Sequence, residues 1–429
     1  MNATTWHCAS FEFDLSSPFI AGICNVTPDS FSDGGEHATA ESALAFAHDL
    51  LDAGADIIDV GGESTRPGSD EVAAEEELAR VLPVVRELAK EGVAVSIDTR
   101  HALVASECVE AGACIINDIS GFRERGMREL AARTDVGLIV MHMRGEPKTM
   151  QKAPEYDDVV GEVERELLRM VHRLETEGIE SERICIDPGV GFGKRADHNQ
   201  ALVEASARFA DLGYPLMGAV SRKSYIGAMS GIGNPADRDR ASALCAAFMV
   251  NQGAQIMRVH NVAMTHELLQ NARMAIIALG SNMGNASGHI DAALEDLRHN
   301  PDIWVGAVSH YVVSEPAYLI AQAPFVNAVA ALETTLSPHE LLHTLQDLEN
   351  KQGRVRTIAN GPRTLDLDMV DNEGVTNEDE ELVLPHPLTL ERDFVVTPLL
   401  DIMPGYVLAD GSAVTRDEVR VGHVSGLAH

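Results

Sequence analysis

From residue 19 to residue 261, short runs rich in valine and isoleucine alternate with longer stretches of helical period. Eight such runs stand out: Phe19–Val26, Asp56–Gly62, Ala94–Thr99, Cys114–Ile119, Gly137–Met143, Ile184–Gly189, Pro215–Ser221 and Gln255–Asn261. Strands buried on both faces read as continuous apolar runs of this kind. The stretches between them, among them Ser42–Asp52, Ala73–Lys90, Asp157–Glu177 and Ala236–Val250, have the spacing of helices with one apolar stripe. Repeated strand-then-helix units predict an α/β fold, a (β/α)8 TIM barrel.

The pattern changes near Met274, where Ala275–Leu279 is a new apolar strand with no barrel position left to fill. It continues as strand 275–281, helix 287–298, strand 304–314, strand 325–335, helix 338–352 and strand 364–370. That order is the split βαβ pattern of a smaller, ferredoxin-like α+β domain. The expected division is therefore 1–273 and 274–429, with a very short linker. The run Asn377 to Glu381 reads as a solvated acidic turn.

A barrel reading is sharply testable, because its chemistry belongs at the C-terminal ends of the strands. Polar residues cluster there: Asn25 after the first, Gly61 to Gly68 after the second, Asp98 after the third, and Asn117 and Asp118 after the fourth. His142, Asp187, Ser221 to Lys223, and then Arg258 with His260 follow at the remaining ends. Any one of them is explicable as a helix cap. Their joint occurrence is not.

Net charge narrows the partners. At −33, with both domains acidic, the surface repels phosphate backbones, and no basic patch marks a nucleic-acid site. An anionic ligand must be held by a few placed cations. The chain has no run of about 18 apolar residues and no basic-then-apolar leader, so a cytoplasmic protein without membrane contact is expected. All six cysteines precede Met274, lack C-x-x-C spacing and read as reduced core thiols.

Residues Asp187 to Lys194 resemble a phosphate cradle at first sight, but Pro188 stands where the first glycine of a P-loop belongs and Arg195 follows the lysine. The glycines instead allow a sharp turn after the sixth strand, so that Asp187 and Phe192 face one pocket. Asp98, Asn117 and Asp187 suit a flat heterocycle rich in N–H donors, with Lys223 and Arg258 as donors to ring atoms and Arg258 able to stack. Thr65, Arg66, His260 and Asn25 suit a diphosphate. The ligand reads as a ring joined to an anion.

The segments Asn25–Gly34, Gly61–Gly68, Ser96–Thr99, Asp187–Lys194, Ser221–Ser224 and Arg258–His260 resemble the dihydropteroate synthase family, over nearly all of residues 18–265. The resemblance implies condensation of 6-hydroxymethyl-7,8-dihydropterin diphosphate with 4-aminobenzoate, and a homodimer formed through the barrel. It places the pterin on Asp98, Asn117, Asp187 and Lys223, with Met141, Phe192 and Arg258 against its faces. Asn25, Thr65, Arg66, Arg258 and His260 would hold the leaving diphosphate, with Mg2+ on the Asn25 side. The amine substrate would lie near Phe31, Thr65, Pro67, Lys223 and Ser224. Two departures are visible: Asn261 where the family has Asp, and Arg100 after Thr99.

In the second domain, Asp366 and Asp368 are two apart, so on a strand both carboxylates project from one face. An isolated pair of this kind is ordinarily a solvated face. Arg354, Arg356 and Arg363 just before it change that reading, since guanidiniums beside paired carboxylates suit a metal-bridged polyphosphate. With Ala278–Asn282, Phe325–Thr334, Leu384–Pro387 and Glu391–Phe394, these residues resemble the hydroxymethyldihydropterin pyrophosphokinase family over 275–410. The resemblance implies transfer of diphosphate from ATP to the pterin, with Asp366 and Asp368 as Mg2+ ligands. Glu349, Arg354, Arg356, Arg363, His386 and Arg392 would bind ATP, and Asn327 and Phe394 the pterin. Ala359 and Asn360 replace the family's Arg-Trp pair, which predicts a slower kinase.

Two rival readings stand beside this one. A pterin-binding methyltransferase barrel would not need residues 64–68 or 221–224. A degenerate C-terminal binding module would not keep both carboxylates, the arginines and His386. The expected function is a bifunctional transferase of folate biosynthesis.

Overall fold

The computed structural model describes residues 3–27, 40–64, 71–318, 321–354 and 360–428. Two compact units divide at Leu269 and Gln270.

The first unit opens with a hairpin, β1 (Thr5–Cys8) and β2 (Phe11–Asp14). The parallel strands follow as β3 (Phe19–Asn25), β4 (Ile57–Gly61), β5 (Val95–Asp98), β6 (Ile115–Asp118), β7 (Gly137–Met141), β8 (Ile184–Asp187), β9 (Met217–Gly218) and β10 (Ile256–Val259). Neighbours pair in the order β8-β7-β6-β5-β4-β3-β10-β9, and a parallel bridge from Ile186 to Leu216 closes the ring. The helices between and after the strands are α1 (Ala40–Asp52), α2 (Ala74–Lys90), α3 (Ala102–Glu110), α4 (Arg125–Arg133), α5 (Val159–Thr176), α6 (Ala196–Glu204), α7 (Ser206–Ala210), α8 (Ser224–Ser230), α9 (Asp239–Asn251) and α10 (Val262–Asn271). The fold is the expected TIM barrel.

The seventh barrel strand is shorter than its apolar run. Pro215 has no N–H to give, and the Leu216 N–H is taken at 2.9 Å by the side-chain carbonyl of Gln255, so the strand proper shrinks to Met217 and Gly218, with Leu216 joined to Ile186 by a single bridge. The hairpin, which the apolar pattern did not announce, stoppers the N-terminal mouth. Trp6, Cys8, Phe13 and Leu15 pack there on Ile57, Ile115, Ile139 and Ile256, and Trp6 Nε1 donates to the Arg183 carbonyl at 3.0 Å. All six cysteines are free and buried, and burial pushes the Cys24, Cys108 and Cys114 thiols up to about 12.

In the second unit, β11 (Arg273–Ser281), β12 (Ile303–Val308), β13 (Val312–Ser314), β14 (Phe325–Thr334), β15 (Asp366–Asn372) and β18 (Val424–Leu427) form one antiparallel sheet. A separate short hairpin, β16 (Asn377–Glu378) with β17 (Val383–Leu384), carries the acidic turn on its exposed tip. The helices are α11 (Ala286–Arg298), α12 (Pro338–Lys351) and α13 (Asp393–Ile402). Leucines of α11 and α12 pack on Ile277, Leu279, Ala330 and Leu367, the ferredoxin-like core.

The expected strand 304–314 is broken in two. At the break the Ser309 hydroxyl accepts the Val329 N–H and Asp401 accepts the His310 N–H, which removes both from the regular ladder. Among the described residues no helix is long and apolar enough to cross a membrane.

Candidate active sites

Parallel register brings the polar strand ends of the barrel together at its C-terminal rim: Asp98 pairs with Asn117 and Met141 with Asp187. Arg258, on β10, spans the mouth. Its Nε donates to Asp59 Oδ2 and its Nη2 to Asp98 Oδ2, both at 2.6 Å. The second oxygen of Asp59 accepts from Asn117 Nδ2 at 3.3 Å.

Asp59 was not singled out from sequence, although it is a carboxylate inside an otherwise apolar strand. A charge placed there must be paired, and that was the signal available.

Burial pushes the Asp98 carboxyl up to about 7 against the pull of Arg258. Its Oδ1 is buried and accepts no hydrogen bond. Burial raises Asp187 as well, with Lys223 opposing, while its Oδ1 accepts from the Gly189 N–H at 2.7 Å. Lys223 is lowered to about 8 by burial; its Nζ donates to the Val190 carbonyl at 2.5 Å and stands 4.7 Å from the Phe192 ring centroid. Met141, Ile119, Met143 and Met150 form an apolar patch against which Phe192 packs.

The glycine-rich segment is held from within. Lys194 Nζ donates to the carbonyls of Gly189 and Phe192 at 2.8 and 3.0 Å and lies 3.0 Å from His142 Nδ1, so this lysine ties its own loop.

On the opposite side, Ser221 Oγ meets His260 Nδ1 at 2.9 Å. Arg222 takes a left-handed φ of 58°, and its guanidinium grips Asp239 at 2.6 and 2.8 Å. Asn261 donates to that same carboxylate at 3.0 Å. The amide at position 261 thus supplies a donor where an aspartate would oppose Asp239.

Asn25 ends β3, and a Cβ on Gly61 would sit 3.2 Å from its Oδ1 and 3.7 Å from Asp98 Oδ2, which puts the two side chains over one glycine. Ser224 opens α8 directly after Lys223. Arg100 makes a two-point pair with Glu63, each bond 3.0 Å. Phe31, Thr65, Arg66 and Pro67 lie outside the described residues.

In the second unit, Asp366 and Asp368 flank buried Leu367 and share the open face of β15. They line one cleft with Arg354, Arg363, His386, Arg392, Asn327 and Phe394. Asp366 lies 2.6 Å from Arg354 Nη2 and 3.1 Å from Arg363 Nη2, and Asp368 lies 3.3 Å from Arg392 Nη1. Burial, then Asp368, raises the Asp366 carboxyl against the three arginines.

The Nε atoms of Arg363 and Arg392 are buried without an acceptor. His386 is lowered to about 4 by burial and then by Arg392. Its Nδ1 accepts from the Leu388 N–H at 3.1 Å, which leaves the proton on Nε2.

One expectation is displaced. Glu349 is buried behind the cleft, where it accepts the Leu367 N–H at 2.8 Å and pairs with Arg354. It orients that arginine and does not line the cleft. Arg356 and Ala359 lie outside the described residues; Asn360 lines the cleft, and its carbonyl accepts from Gln322 at 3.0 Å.

A parallel barrel with buried acceptors, a lysine and a bridging arginine at its rim defines an α/β-barrel enzyme that takes a flat, N–H-rich ring. The chain belongs to the family described as pterin binding enzyme, whose model matches residues 21–260. Residues 276–404 match a second model, 7,8-dihydro-6-hydroxymethylpterin-pyrophosphokinase.

Dihydropteroate synthase of Escherichia coli (strain K12) is 48% identical over 260 residues, 60% of this chain and 92% of that protein. The solved structure of Xanthomonas albilineans dihydropteroate synthase with 4-aminobenzoic acid is 41% identical, with TM-score 0.59, covering 62% of this chain and 96% of that one. The same enzyme in complex with 7,8-dihydropteroate is 39% identical, with TM-score 0.57, covering 62% and 96%. The two matches make the chain a bifunctional transferase of folate biosynthesis, a dihydropteroate synthase domain followed by a pyrophosphokinase domain. They favour this over the degenerate-module reading.

Proposed function

We propose that the C-terminal domain transfers the β,γ-diphosphate of ATP to 6-hydroxymethyl-7,8-dihydropterin, releasing AMP, and that the barrel condenses the product with 4-aminobenzoate. In the first step the hydroxymethyl oxygen bonds to the β-phosphorus as the bridge to the α-phosphate breaks. In the second the amine nitrogen bonds to the pterin methylene as diphosphate leaves, giving 7,8-dihydropteroate.

The observation that carries the reading is Asp98 Oδ1, a buried acceptor left unpaired beside Asn117 and Arg258. A pterin ring N–H satisfies it, and Asp187 and Lys223 serve the rest of the ring edge, with Met141, Phe192 and Arg258 against the faces. As the methylene carbon gains positive charge, Asp98 and Asp187 stabilise it, and His260, Arg66 and Arg258 stabilise the departing oxygens. Thr65 and Ser224 position the diphosphate and the amine.

In the kinase reaction, Arg354, Arg356, Arg363, Arg392 and His386 hold the phosphates, and catalysis is positioning plus charge stabilisation. Asn327 reads the pterin and Phe394 stacks on it. The hard oxygens of Asp366 and Asp368, side by side on one strand face, fit Mg2+, and Asn25 Oδ1 fits it at the barrel. When bound there, Mg2+ neutralises phosphate charge.

Asp366→Ala and Asp368→Ala test the assignment. Each is expected to abolish AMP formation while dihydropteroate still forms from supplied pterin diphosphate; undiminished AMP release refutes it.

A further inference from the structure

The segment Arg420 to Leu427 lies beyond residues 276–404, which match the kinase family, yet it is bound to the residues that shape the kinase cleft. The Arg420 and Val421 N–H groups donate to the Glu391 carbonyl at 2.8 and 3.1 Å, and the Asp393 N–H returns a bond to the Val421 carbonyl at 3.1 Å. Val424 N–H donates to Asp393 Oδ2 at 2.8 Å. The Glu315 N–H donates to the His423 carbonyl at 3.1 Å, and β18 then pairs with β13. The N-terminal end of α13, with Arg392 and Phe394, is thereby stitched to the wall formed by Ser314, Glu315 and Ala317, all of which line the cleft.

Gly422 sits at the centre of this strap with φ 64°. A Cβ there would collide with Phe394 Cδ1, would stand 2.6 Å from Cε1 of the same ring, and would meet the Ala317 Cβ at 3.6 Å. The backbone of residue 422 is therefore the wall against which the Phe394 ring rests, and a side chain at 422 cannot be accommodated unless the ring or the strap shifts. Arg392, 5.7 Å from that ring, is held by the same stitches.

We propose that the C-terminal strap Arg420–Leu427 is a positioning element of the kinase cleft, and that Gly422 sets the width of the slot that receives the pterin ring by fixing Phe394 from behind. The proposal rests on Phe394 contacting the pterin in the pyrophosphokinase reaction. Gly422 acts through Phe394 and touches no substrate.

The test is Gly422→Ala in the full-length chain, with Gly374→Ala as the control. Gly374 has a similar φ of 68° with nothing within 4 Å of the added Cβ, so it carries the backbone strain without the collision. In Gly422→Ala the KM for 6-hydroxymethyl-7,8-dihydropterin is expected to rise about tenfold, while kcat and the KM for ATP move less than about twofold. Gly374→Ala leaves all three in place. In a Phe394→Ala background the added methyl has room, and Gly422→Ala produces no further rise.

An unchanged pterin KM in Gly422→Ala overturns the proposal. So does an equal rise in Gly374→Ala, or an additive rise in the Phe394→Ala background. Failure of the wild-type chain to release AMP is a different result and removes the kinase reading itself. A crystal structure of the Gly422→Ala chain decides the strap in either case: a displaced Phe394 ring supports it, and a ring left in place refutes it.

Discussion

Asp98 holds Arg258 through one oxygen only: Oδ2 accepts from Nη2 at 2.6 Å, while Oδ1 stays buried with no donor. The ion pair fixes the carboxylate's orientation and leaves its second oxygen for a ligand N–H. Asp98→Asn keeps the shape but removes the charge that both donors see. We expect synthase kcat/KM to fall about 10- to 100-fold, the size of a lost charge-assisted hydrogen bond. AMP formation in the same preparation is the internal control and should not change.

The pH dependence of the synthase follows from two buried groups. Asp98, pushed up to about 7, accepts a ligand N–H as a carboxylate, so activity falls as pH drops through about 7. Lys223, lowered to about 8, donates as an ammonium, so activity falls as pH rises through about 8. A narrow bell in kcat/KM is expected. In Lys223→Arg the alkaline limb should disappear, because a guanidinium stays protonated throughout the range. An alkaline limb that persists unmoved excludes Lys223 as its source.

Gly280 is the counterpart, on β11, of the close approach at Gly422. A Cβ there would stand 3.0 Å from Asn327 Oδ1, whose amide nitrogen donates to Ser314 Oγ at 2.8 Å. Gly280→Ala should turn Asn327 out of place and raise the pterin KM of the kinase about tenfold, with the synthase reaction unaffected. Steady-state kinetics of both reactions on one sample checks this.

Trp6 is fully buried under the barrel. Trp6→Ala removes the largest side chain of the stopper and opens a cavity against Ile57, Ile115 and Ile139, at a cost of about 3–5 kcal/mol to the barrel. The C-terminal rim is built by the opposite strand ends, so synthase KM values at low temperature should stay near wild type while the urea midpoint of the barrel falls.

How much of this could be read from the chain depends on where each residue's role originates. The strand ends were legible because a barrel sends its chemistry to one rim, and Asp98, Asn117, Asp187, Lys223 and Arg258 do converge there. Asp59 escaped because it lies inside an apolar run, and its partners Arg258 and Asn117 come from distant strands. The β1–β2 hairpin escaped because its four-residue strands are too short to show a period. Glu349 was placed at the nucleotide by resemblance; only the fold shows that it accepts the Leu367 N–H and turns Arg354 toward the cleft. The strap through Gly422 was unreadable, since its contacts with Glu391 and Asp393 exist only once the sheet is assembled.

The most direct test of the bifunctional account is one reaction containing the purified chain, 6-hydroxymethyl-7,8-dihydropterin, ATP, Mg2+ and 4-aminobenzoate, with AMP and dihydropteroate followed by chromatography. The account expects both products, with dihydropteroate trailing AMP, and neither product once the metal is chelated. Dihydropteroate formed only when pterin diphosphate is supplied, with no AMP at any time, would contradict it.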